Sequence, residues 1–285
     1  MPCYLMIKKL HMKNTIKSIV ERFPALAFFY RNSRDLLDQR HPPSTTPWGF
    51  SLAGHDAMAD GSFEPEETAI VRKLLADVDL LVNVGANVGY YCCHALSMGK
   101  PVIAIEPITR NLHYLLKNIQ NNGWSNQAEV FPVALGAGTD ILQIWGGGTG
   151  ASLVKGWAGI PENYVTQVPI LSLDRLLGNI LSRKKALILV DIEGAELMML
   201  QGAKLALANE PRPIWIMEIS SIEHQPLGVP LNPHFLKTFE LFFSYGYRAY
   251  MANEAMIEIT SANVQKVAAG LQGLETHNFV FMVRE

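Results

Sequence analysis

One stretch, Leu80-Leu81-Val82-Asn83-Val84-Gly85-Ala86-Asn87-Val88-Gly89, constrains the fold of this chain more than any other. A short apolar run enters a glycine-bearing turn, and residues 88–98 then suit a helix stopped by Gly99. A strand covered on both faces reads as continuous hydrophobic sequence, so helices are expected on both sides of its sheet. The alternation continues downstream. Residues 101–106 predict a second strand. Behind it Leu112, Leu115, Leu116 and Ile119 recur at helical spacing, with Thr109 as the cap and Gly123 as the stop. Further strands are expected over 129–134, 186–190, 214–218, 247–252 and 278–283, with a helix over 235–245. Repeated β-α-β units of this kind give a mainly parallel, doubly wound sheet with right-handed crossovers.

Upstream of this pattern the chain changes character. Residues 63–75 suit a helix, with Pro65 early and Glu66 and Glu67 at its positive end. The cluster His41-Pro42-Pro43-Ser44-Thr45-Thr46-Pro47 marks 41–62 as loop-like. Residues 1–40 read as a basic, partly helical lead-in carrying Lys8, Lys9, Lys13, Lys17 and Arg22. The expected organisation is therefore a helical and loop extension over 1–62 and an α/β domain over 63–285. The apolar run 23–30 is too short to span a bilayer and no small-residue cleavage site follows it, so a helical cap or a partner-binding arm is expected there. Homo-oligomerisation through this arm is one such partnership.

The formal net charge of −2 gives no general attraction for polyanions, so no nucleic-acid partner is expected. The three cysteines do not make a disulfide framework, and Cys92 and Cys93 are adjacent, which points to a reduced, cytoplasmic setting. Residues 136–169 fit no regular element. Within them Gly146-Gly147-Gly148-Thr149-Gly150 lacks the Lys-Ser/Thr pair of a phosphate cradle and reads as a flexible or substrate-facing loop.

Three signals carry chemistry. The first is the turn from Gly85 to Gly89. Glycines there let backbone approach a ligand, and a strand-to-helix junction in a doubly wound sheet is where nucleotides bind. The dinucleotide fingerprint would need glycine where Asn87 and Tyr90 stand, whereas Gly89 fits the outer spacing found in enzymes that use S-adenosylmethionine. The second is Glu106, placed to grip ribose hydroxyls and to repel a 2′-phosphate. The third is Asp191-Ile192-Glu193-Gly194-Ala195-Glu196, three acids around one strand-end turn, suited in sign to a sulfonium and an ammonium group or to capping a helix.

From residue 63 to about 219 the chain resembles the FkbM family of class I S-adenosylmethionine-dependent methyltransferases. The landmarks are the 84–89 turn, Ile105-Glu106-Pro107, residues 118–123, Val133-Ala134-Leu135-Gly136, Leu171-Ser172-Leu173-Asp174, the 191–196 acids and Met217-Glu218-Ile219. The resemblance implies a Rossmann-like seven-stranded sheet with one antiparallel strand, S-adenosyl-L-methionine as methyl donor, and an O-methylated small-molecule or saccharide product. It implies a cofactor site formed by Asn83, Gly85, Ala86, Asn87, Gly89, Glu106, Pro107, Ala134 and Asp191. Asn83 stands where the family often has aspartate; an amide still accepts from the donor's ammonium but loses charge attraction.

Asp191 is the first candidate beside the methyl group, with Glu193 or Glu196 as helper or base and Glu218 in reserve. An unperturbed aspartate, with a pKa of about 3.9, is a weak base, so burial would have to raise it. No metal is expected, since donor contacts and base already account for the acids. His224 and His277 can line the acceptor pocket, and Trp145, Trp157 and Tyr164 either stack on the acceptor or pack the glycine loop against the core. The competing readings are an NAD-binding oxidoreductase on the same architecture and a binding protein without turnover.

Overall fold

The computed structural model describes residues 42–283, together with Phe29. The expected helical lead-in and the oligomerisation arm lie outside the described residues. In chain order the elements begin with β1 (Ser44–Thr45), β2 (Ser51–Leu52), α1 (Asp56–Asp60) and α2 (Pro65–Ala76). The first α/β units follow: β3 (Leu80–Val84), α3 (Tyr90–Ser97), β4 (Val102–Ile105), α4 (Thr109–Asn121) and β5 (Ala128–Phe131). Then come β6 (Ala134–Leu135), β7 (Asp140–Trp145), β8 (Val165–Leu171), α5 (Leu173–Leu177) and β9 (Ala186–Val190). The chain closes with α6 (Glu196–Gln201), α7 (Lys204–Ala208), β10 (Ile214–Glu218), α8 (Phe235–Ser244), β11 (Arg248–Met251), β12 (Glu258–Ile259), α9 (Ser261–Ala268) and β13 (Asn278–Met282).

The main sheet runs β12-β11-β13-β10-β9-β3-β4-β5. The five strands from β10 to β5 are mutually parallel, and β13 is antiparallel to both of its neighbours. This is the expected α/β sheet with one correction: the two residues of β12 add an eighth, antiparallel edge strand. Register positions the site. Val84 pairs with Ile105 on one side and Val190 on the other, and Val190 pairs with Met217. The residues that follow each strand therefore emerge at one edge, where the order reverses around β3 and β9. Such a switch point is where an open α/β sheet forms a crevice.

Side chains alternate across these strands with a period of two, so one sheet serves two cores. Val82, Val84, Ile105, Ile188 and Val190 pack with Leu200, Leu207, Phe235, Phe239 and Phe242. Leu81, Ala104, Leu187 and Leu189 pack on the other face with Val71, Tyr90 and Leu115. Phe50, Leu52 and Met58 belong to that second core, so residues 50–59, which the sequence pattern assigns to a loop-like extension, are part of the packed unit. Asn118 ties them down: its amide accepts from Ala53 N–H at 2.8 Å and donates to the carbonyls of Ala53 (3.0 Å) and Val88 (2.8 Å).

Residues 136–169 are not structureless. β7 pairs antiparallel with β8, which pairs parallel with β6, in a separate three-stranded sheet. The cap of α4 also differs from expectation: Ile108, not Thr109, is the N-cap, and no side chain caps it.

Candidate active site

At the reversal edge, the turn after β3 is held by its own donors. Gly85 N–H and Ala86 N–H both donate to the Ile105 carbonyl at 3.0 Å, and Asn87 N–H donates to Glu106 Oε2 at 2.8 Å. These three N–H groups therefore stitch β3 to β4 and are not free to face a ligand. Glycine is required at residue 85 for another reason. Its φ is +80°, and a Cβ there would lie 1.8 Å from the Asp191 carbonyl oxygen. Gly89, with φ +90°, packs its bare Cα against Leu115 and starts α3. It shapes the turn and lines neither cavity described below.

Two adjoining cavities open at this edge and share Gly85, Asn87, Thr149, Asp191 and Glu193 as a common wall. The first is lined also by Glu106, Pro107, Ile108, Asn111, Ala134, Gly148 and Ala151. Glu106 is 3 % exposed, and burial pushes its carboxyl up to about 7 against the pull of its donors. Those donors are Ile108 N–H on Oε1 (2.8 Å), Asn87 N–H on Oε2 and, more weakly, the Asn111 amide on Oε1 (3.4 Å). A carboxylate has roughly four lone-pair sites, so Oε2 keeps one for a ligand hydroxyl.

Asn111 was missed by the sequence reading. Its Nδ2 donates to the Gly148 carbonyl at 2.9 Å, while its buried Oδ1 has no partner among the described residues. An unmade bond at a buried acceptor costs about 1–3 kcal/mol, so a cavity lined by such an atom is suited to a ligand donor. The Asn87 Oδ1 and Asp191 Oδ1 atoms are in the same condition. The glycine loop is also part of the site, because Gly148, Thr149 and Ala151 face the first cavity.

The second cavity, of about 210 Å³, is lined by Asn83, Ala86, Phe63, Glu64, Tyr90, Tyr91, Glu218, His224 and His277 besides the shared wall. Asn83 donates to Cys92 Sγ at 3.4 Å and leaves its Oδ1 without a partner among the described residues. Four lining carboxylates crowd this space. Burial holds the Asp191 carboxyl well above the usual range, with Glu218 and then Glu193 adding repulsion. Burial likewise pushes Glu218 up to about 8 and raises Glu64, whose Oε2 accepts from the Tyr91 hydroxyl at 3.2 Å. Among the described residues none of these acids pairs with lysine or arginine, and no three His, Cys, Asp or Glu side chains are arranged to hold a metal. Carboxyls of raised pKa at a cleft can hold or take a proton near neutral pH.

The predicted residues therefore divide. Gly85, Asn87, Glu106, Pro107, Ala134, Asp191 and Glu193 meet at the first cavity; Asn83, Ala86 and Glu218 lie at the second. Glu196 lies at neither. It is 4 % exposed and turns back to accept from Gly194 N–H at 2.8 Å, bracing the start of α6. Trp157, one of the aromatics considered for stacking on an acceptor, is buried and donates its indole N–H to Glu193 Oε2 at 2.6 Å.

The methyltransferase FkbM domain model matches residues 83–249. No curated protein matches the chain significantly. Among solved structures, the methyltransferase FkbM from Methylobacillus flagellatus KT is 18% identical at a TM-score of 0.43, covering 72% of this chain and 43% of that one. The chain thus spans less than half the length of that protein. An SAH-bound methyltransferase from Podospora anserina is 8% identical at 0.39, covering 77% of each chain. An O-methyltransferase family protein from Burkholderia thailandensis is 6% identical at 0.36, covering 80% of this chain and 57% of its own.

Proposed function

The chain belongs to the FkbM methyltransferase family, and we propose that it methylates a hydroxyl of a small-molecule or saccharide acceptor with S-adenosyl-L-methionine as donor. The observation that carries this reading is the meeting of Gly85, Glu106 and Asp191 at one cavity whose wall continues into a second, acid-lined one. When bound, S-adenosylmethionine supplies a methyl group on a sulfonium, open to in-line attack by an oxygen nucleophile.

The residues present fit such a donor. Glu106 Oε2 and the unpartnered Asn111 Oδ1 are acceptors for ribose hydroxyls, and Pro107, Ile108, Val133 and Ala134 offer an apolar slot for a base. Asp191 and Asn87 present unpartnered oxygens on the shared wall, and Asn83 presents one just beyond it, suited to the positive end of the ligand. The second cavity then receives the acceptor, with Phe63, Tyr90 and Tyr91 as its aromatic side and His224 and His277 at its rim.

Alignment is the main contribution. Fixing a hydroxyl against the methyl group is worth about 7–11 kcal/mol when both partners are held. Asp191 and Glu218 are the groups to take the hydroxyl proton, because burial and mutual repulsion raise their affinity for it. Glu193 assists from the shared wall, and Glu196 acts by shaping the turn. Incubation with S-adenosylmethionine and a panel of hydroxylated acceptors, followed by mass spectrometry, tests the reading. A mass gain of one methyl group on an acceptor oxygen supports it, and methylation confined to nitrogen or carbon would replace the hydroxyl in this account.

A further inference from the structure

Trp157 is 2 % exposed, yet it is not simple filling. Its indole N–H reaches Glu193 Oε2 at 2.6 Å, leaving Oε1 as the carboxylate oxygen with no donor among the described residues. The same loop holds the other end of that residue. Ser152 Oγ donates to the Glu193 carbonyl, and Ser152 is itself fixed by Val154 N–H, which donates to Oγ at 2.9 Å. The backbone of Glu193 has a φ of +53°, in the left-handed region that side-chain-bearing residues seldom occupy, and the Ser152 bond holds its carbonyl there.

The indole also dictates its neighbours. A Cβ on Gly194 would lie 2.5 Å from the Trp157 ring, so the residue after Glu193 must be bare for the ring to sit there. On its other side the ring lies 6.1 Å from that of His224, and Ala158 N–H donates to the His224 carbonyl at 2.7 Å. One side chain thus joins three segments: the loop after β7, the acidic turn after β9, and the loop after β10 that brings His224 to the second cavity.

We propose that Trp157 is a positioning residue for methyl transfer, which by occupying Oε2 of Glu193 fixes the other oxygen at the wall between the two cavities and couples it to the loop carrying His224. The inference rests on the methyltransferase reading of the site. A phenylalanine would fill the same space; only the indole N–H can hold the carboxylate.

The test needs no acceptor. In a ¹H–¹⁵N spectrum the five tryptophans give five indole signals, and Trp157→Phe identifies the one that disappears. A short bond to a carboxylate places that signal downfield of the others. Glu193→Gln is expected to move it upfield, and saturation of the wild-type protein with S-adenosylhomocysteine is expected to shift it again. If Trp157→Phe does not fold, Glu193→Gln is read against all five indole signals, and the proposal is overturned when the most downfield of them does not move. A Trp157 signal indifferent to Glu193→Gln, or unchanged when calorimetry shows the ligand bound, overturns the proposal. Absence of binding in that calorimetry instead overturns the methyltransferase reading, and this inference with it.

Discussion

The carbonyl oxygen of Asp191 occupies the space a side chain on residue 85 would need, 1.8 Å from a Cβ built on Gly85. Two strand-end turns, one from β3 and one from β9, therefore close on each other at the centre of the crevice. Gly85→Ala is expected to push them apart and to force a left-handed φ on alanine, costing about 2–5 kcal/mol of stability. Thermal unfolding of the variant checks this; a melting point equal to the wild type would show that the contact is not tight.

Glu106 and Asn111 are assigned together to ribose. Removing a hydrogen-bonding charged group costs about 1.5–3 kcal/mol, so Glu106→Ala is expected to weaken S-adenosylhomocysteine binding about tenfold to a hundredfold. Asn111→Leu, of similar size, removes the free Oδ1 and is expected to cost about tenfold. Calorimetric titration reads both, and an unchanged affinity in Glu106→Ala would remove ribose from this pocket.

The buried acids set the pH dependence of the ligand-free fold. Burial pushes Glu106 and Glu196 up to about 7, and Glu67 and Glu218 up to about 8. A raised acid favours the folded state below its unfolded pKa, and that contribution is lost as pH rises through the folded value. The melting temperature is therefore expected to fall between about pH 5 and pH 8. Glu196→Gln can still accept from Gly194 N–H while carrying no charge, so it should flatten this fall and melt higher than wild type at pH 8. Equal slopes in both proteins would count against a buried, uncompensated Glu196.

Asp191→Asn separates chemistry from fold. It removes a charge that burial already disfavours, so the variant should fold normally and bind S-adenosylhomocysteine, while methyl transfer drops about a hundredfold to ten-thousandfold if Asp191 is the base. Transfer persisting at the wild-type rate would move the proton to Glu218.

Much of this arrangement was legible in the sequence because β3, β4, β9 and β10 are apolar runs, interrupted only by Asn83 in β3, that give way at their carboxyl ends to residues of different character. Gly85, Glu106 and Asp191 stand one step past buried strands, Glu218 is the last residue of β10, and parallel register carries all four to one edge. What was not legible depends on contacts across sequence. Asn111 sits inside a helix, where an amide looks solvent-facing, and only the fold shows that it is 2 % exposed with an unpartnered oxygen. The bond from Trp157 to Glu193 spans 36 residues. β7 and β8 were missed because most of their residues are exposed and Pro169 interrupts β8, so alternation is weak. Glu196 shares its turn with Asp191 and Glu193, and the sequence leaves open whether it faces a ligand or caps the helix; its carboxylate folds back on its own turn.

The most direct measurement is a calorimetric titration of the protein with S-adenosylhomocysteine and, in parallel, with NAD. One molecule of S-adenosylhomocysteine bound per chain, weakened in Glu106→Ala and absent for NAD, is the expected result. Binding of NAD in its place would contradict the claim that the strand-end residues enclose an adenosyl-sulfonium donor.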